Sequence, residues 1–176
     1  MRSFFILLFS SLFIIFSCKK ESSQNKETTI QKADVNTSVK HPTYSLLDEE
    51  STKEIKKWKE YFITEEFVSH FKSISPTEAL NNAIELKDLT KQLKDSLNIQ
   101  ILKTPAFKAR INVFENEVLR LADMTYIPSI SSKDINTQVE KVLALFGSMN
   151  DKINTVYAKK RFDKAIKLDS IFNNFK

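Results

Sequence analysis

Glycine is almost missing from this chain: its 176 residues contain one, Gly147. A phosphate-cradling loop needs several glycines so that backbone N–H groups can close on the anion, and a Gly-x-Ser-x-Gly nucleophile elbow needs a pair, so neither can be built. With no turn glycines and no alternating β-branched run, a β-sheet lacks material as well. Cysteine is equally scarce, Cys18 being the sole one, which excludes an intramolecular disulfide and a Cys-x-x-Cys-His haem attachment. Histidine occurs only at His41 and His70, leaving almost no way to assemble a hydrolytic serine, histidine and carboxylate. These absences argue against an enzyme, and no cofactor or small-molecule substrate is expected.

What is present is organised by the opening stretch. Arg2 supplies a positive charge, and Phe4 to Phe16 is almost wholly apolar. That run suits the hydrophobic region of an export signal and falls short of the roughly 20 residues of a spanning helix. It closes on Ile15-Phe16-Ser17-Cys18, which resembles the lipobox of bacterial lipoprotein signal peptides: an aliphatic residue three before the cysteine and a small one directly before it. Phe16 is bulkier than that pattern usually carries. The resemblance implies cleavage after Ser17, removal of residues 1–17, a thioether-linked diacylglycerol on Cys18 and acylation of the new amino group. Two or more acyl chains hold a protein stably to a bilayer where one holds marginally. An ordinary secretory leader with an incidental cysteine, or an uncleaved apolar anchor, is the alternative reading; a lone thiol placed just where the apolar run stops favours lipidation. Lys19 stands where an aspartate would imply inner-membrane retention, so the resemblance implies the outer membrane, facing either periplasm or exterior.

Residues 18–45 read as lipidated Cys18 and a tether rich in Ser, Thr, Asn and Lys, with Ile30, Val35 and Val39 too sparse to bury a face. A flexible coil of about 25 residues reaches roughly 25–30 Å, enough to hold a domain clear of the headgroups. Loss of the leader removes only one charge, Arg2, from a chain of formal charge +5. Export makes nucleic acid an unsuitable partner for this mildly basic domain; membrane through Cys18, and an envelope protein, lipid or glycan, are the expected ones.

Residues 46–176 carry helical periodicity. Ile55, Trp58, Phe62, Ile63, Phe67, Phe71 and Ile74 predict a first helix over about 47–73. Ser75-Pro76-Thr77-Glu78 is a cap, a first-turn proline and a capping-box glutamate opening a second, lined by Leu80, Ala83, Leu86, Leu89, Leu93 and Leu97. Thr104-Pro105 opens a third, with Phe107, Ile111, Phe114, Val118 and Leu121, stopped by Pro128. Ser131 or Ser132 with Asp134 opens a fourth, whose stripe from Ile135 through Val139, Val142, Phe146, Met149, Ile153 and Val156 runs straight through Gly147 at a cost of about 1 kcal/mol. The expected fold is all-α, an up-and-down antiparallel bundle of about four helices, with the end of the last one partly projecting or folded back.

Two constellations remain. Glu66 and His70, four apart on one helix face, are weak metal candidates; an ion-paired or solvated surface accounts for the same spacing, and the partner ligands of a di-metal bundle are not found, so no metal is assigned. The basic run Lys159, Arg161 and Lys164, interleaved with Phe162 and Ile166, fits a contact surface or, equally, the solvated cationic end of a helix. Two function classes follow: a lipid-anchored, non-enzymatic binding or structural module, and a periplasmic carrier of a small ligand, metal or haem in the bundle interior, with His70 and Met124 or Met149 as the conceivable haem ligands.

Overall fold

A computed structural model describes residues 35–166. The expected leader, Cys18, the first part of the expected tether and residues 167–176 lie outside the described residues. Five α-helices form: α1 (Glu49–Ile55), α2 (Lys59–His70), α3 (Pro76–Asp95), α4 (Pro105–Asp123) and α5 (Ser132–Ile166). The only strands among the described residues are β1 (Val39–Lys40) and β2 (Ser73–Ile74), paired antiparallel. The fold is therefore all-α apart from this two-residue ladder. No described helix is long and apolar enough to cross a membrane.

The helix starts follow from capping chemistry. The Ser75 hydroxyl accepts from the Glu78 amide while the Glu78 carboxylate accepts from the Ser75 amide, with Pro76 directly behind. These bonds occupy donors that a helix terminus otherwise leaves unpaired. Thr104 accepts from the Phe107 amide at 3.3 Å to start α4, and Ser131 accepts from the Asp134 amide at 3.1 Å to start α5. Asp48 accepts from the Ser51 amide at 2.6 Å to start α1.

The expected single helix over 47–73 is two helices. The chain leaves helical geometry at Trp58 (φ −88°, ψ 78°), whose indole is 1% exposed and donates to Ser96 Oγ at 2.9 Å. Steps of three and four residues persist across this turn, so periodicity cannot reveal it; the distant Ser96 partner and the rings of Tyr61 and Phe107 hold Trp58 out of register. The inward face of α2 shifts as a result. Tyr61, Thr64 and Val68 are buried, Phe62 and Phe67 are half-buried, and Ile63 is exposed.

In α4 and α5 the expected stripes are the observed core. Phe107, Ile111, Phe114, Val118 and Leu121 are buried, as are Ile135, Val139, Val142, Phe146, Met149 and Ile153. Phe146 is a hub, with ring centroids of Tyr44, Phe114 and Tyr61 at 5.4, 5.5 and 5.8 Å. Each aromatic or aliphatic side chain so enclosed contributes about 1.5–3 kcal/mol of burial free energy.

Residues 35–45, read from composition as tether, belong instead to a packed strap that runs to residue 48. The Thr77 amide donates to Val35 O at 3.0 Å and the His41 amide to Lys72 O at 2.9 Å. Asn150 Nδ2 donates to Ser45 O at 2.7 Å, and Asn154 Nδ2 to Leu46 O at 2.9 Å. Tyr44 lies against α5, where a Cβ on Gly147 would come within 3.0 Å of both Tyr44 Cβ and the Ser45 amide nitrogen. The chain's one glycine thus sits where a second backbone crosses α5, and a side chain there would push the strap away.

Candidate functional site

The expected contact surface lies where α5 runs beside α1, and its cations are mostly engaged. Lys159 Nζ meets Asp163 Oδ2 at 2.8 Å along α5, Lys160 Nζ meets Glu54 Oε2 of α1 at 2.9 Å, and Arg161 Nη2 meets Asp48 Oδ2 at 3.3 Å. The run from Lys159 to Arg161 therefore does not project: two of its three cations tie α5 to α1. Asp48 serves twice, one carboxylate oxygen capping α1 and the other facing Arg161; its carboxyl is held below the usual range, first by the Ser51 amide and then by the arginine. These pairs are largely exposed, so each holds α1 in place with at most about 1 kcal/mol.

Beyond them, Phe162 is 59% exposed and Lys164 is exposed, while Ile166 is half-buried. Tyr157, one turn earlier, is buried with Lys160 Nζ 5.5 Å from its ring centroid. The free part of the surface is thus an exposed aromatic ring beside a lysine with no carboxylate partner among the described residues, smaller than the sequence suggested.

Glu66 and His70 are both exposed on α2, and His70 has a ring neighbour in Phe67 at 6.2 Å. No three ligating side chains gather around them or elsewhere among the described residues. A groove of about 570 Å³ opens where α3 ends and α4 begins, lined by Lys94, Lys103, Lys108, Asp95, Leu97 and Ile111. Lys94 is already bound to Glu115 at 2.6 Å, which leaves Lys103 and Lys108 as the cations free to meet an anionic group there.

Sequence reasoning overlooked a buried polar line joining the strap to α2. Asn150, fully enclosed, donates to Ser45 O and accepts from the Tyr61 hydroxyl at 2.7 Å; Glu65 Oε1 lies 3.3 Å from the same hydroxyl. Burial raises the Tyr61 phenol and the Glu65 carboxyl, and pushes the Tyr44 phenol up to about 12. All these shifts favour neutral forms, as expected of a clamp in a low-dielectric setting. One signal was legible: Asn150 interrupts the stripe next to Met149, and such a residue on a buried face needs partners. Its partner Ser45, however, is 105 residues away.

No family model, curated protein or solved structure matches the chain.

Proposed function

We propose that the chain is a lipid-anchored, non-enzymatic lipoprotein of the cell envelope, held by acylated Cys18 in the outer membrane, whose helical module acts by contact. The observation that carries this reading is the position of the only cysteine at the end of the apolar opening run. Proximity supports the contact mode: a module confined to one bilayer gains effective concentration toward neighbours in the same membrane, so a small surface suffices. Phe162 with Lys164 is that surface, its partner an envelope protein, lipid or glycan. The same reading takes α2–α5 as an up-and-down antiparallel bundle with α1 as an added segment. In support, Trp58 meets Ser96 while Thr64, further along α2, meets Leu89, earlier in α3. Likewise Gln138 meets Glu117, whereas Phe146 meets the earlier Phe114.

The deciding experiment is Cys18→Ala in the full chain, followed by metabolic labelling with a fatty-acid analogue and envelope fractionation. Label and membrane association should both disappear. Retained label with unchanged fractionation refutes the anchor.

A further inference from the structure

We propose that residues 35–43 form an acid-released strap, kept closed by enclosure of a neutral His41 side chain against α5. The sequence placed His41 in a tether, yet its side chain is fully enclosed and neither ring nitrogen has a hydrogen-bond partner among the described residues. Its backbone continues the β1–β2 ladder through the bond to Lys72 O. Upstream, the strap is held at Val35 O by the Thr77 amide and hydroxyl, at Asn36 Oδ1 by the same hydroxyl, and by a bond between the Ser38 and Ser73 hydroxyls. Downstream, Asn150 and Asn154 grip Ser45, Leu46 and Asp48. Opening at His41 therefore frees 35–43 and leaves 44–48 clipped to α5.

The charges around the ring decide the sign. On α5, Glu140 Oε1 is 3.7 Å from Nδ1, beyond hydrogen-bond range, and its side chain is 51% exposed, so water screens it. Lys72, on the turn after α2, places Nζ 4.5 Å from the Tyr44 ring centroid, and Lys40 on the strap itself is exposed; as cations, neither can compensate a new positive charge. Burial lowers the His41 pKa from 6.5, and outweighs the opposing pull of Glu140. A closed state that resists protonation is fully stable above the unperturbed value, and loses stability as pH falls from about 6.5 towards the depressed one. Glu65, on α2 facing the Tyr44 end, has a carboxyl raised by burial and works the other way, since acid favours its enclosed neutral form.

Hydrogen exchange of the full chain in detergent, read as protection factors at pH 7.5 and 5.0, tests the strap. The His41 and Thr77 amides should lose about threefold to thirtyfold of their protection at pH 5.0, the upper bound being a ring that stays neutral while enclosed. The Asp48 amide, bonded to Asn154 Oδ1 at 3.0 Å, and the amides of α4 should lose none. In His41→Leu the acid loss should vanish. No loss in the parent protein, an equal loss across α4, or the same loss in His41→Leu each overturns the proposal. If leucine prevents closure already at pH 7.5, Glu140→Ala replaces it: removing the one compensating carboxylate should deepen the loss at pH 5.0, and an unchanged loss counts against His41.

Discussion

The α3–α4 pair and the strap are both well packed, but they are held by different kinds of information. In α3 and α4 the cap, the proline and the core stripe lie within a few residues of one another: Ser75, Pro76 and Glu78 in one case, Thr104, Pro105 and Phe107 in the other. The strap has one buried aromatic, Tyr44, and one buried histidine, His41, and its bonds to Asn150 and Asn154 span more than 100 residues of sequence. Local signals build elements that a reader of sequence can find. Long-range polar bonds fix a segment that carries no periodicity, and whose composition resembles a linker.

That contrast can be broken first at the shared core. Phe114→Ala removes an enclosed ring facing Phe146 and should cost about 3–5 kcal/mol, seen as a lowered denaturation midpoint with both regions unfolding together. A loss under about 1 kcal/mol would show that the site collapses around the gap.

The next test separates the regions. Asn150→Ala strips partners from Ser45 O and the Tyr61 hydroxyl, and should destabilise by about 1–3 kcal/mol. Hydrogen exchange should show the larger change in residues 44–48 and little in α3. Equal loosening of both would mean that the strap is part of the core's cooperative unit rather than a segment clipped onto it.

The smallest expected effect falls on the locally determined region. Ser75→Ala removes the hydroxyl arm of the capping box and leaves the backbone amide of residue 75 to donate to Glu78, and should cost about 1 kcal/mol while leaving strap protection near His41 unchanged. A larger loss in the strap than at the start of α3 would show that β2, which ends at Ile74, transmits the cap to β1.

The break at Trp58 shows why one helix boundary stayed hidden. Ile55 and Trp58 are three apart and both buried, so the period is continuous although the backbone is not. Only Ser96, which receives the indole N–H, distinguishes a buried turn from a buried helix. The C-terminal part of α5 shows the same limit in charge: the basic run from Lys159 is plain in the sequence, but its pairing with Glu54 and Asp48 depends on α1 lying beside α5.

By itself, the sequence determined a mostly helical fold for the described residues, the starts of α3, α4 and α5, and an unbroken α5, because capping and the 3.6-residue period act between near neighbours along the chain. Tertiary structure alone decided that residues 35–48 fold onto the bundle, that His41 is enclosed and that Gly147 has no room for a side chain. Each of those depends on residues distant in sequence, Lys72 and Glu140 for His41 and α5 for Tyr44 and Ser45, and no local propensity encodes that.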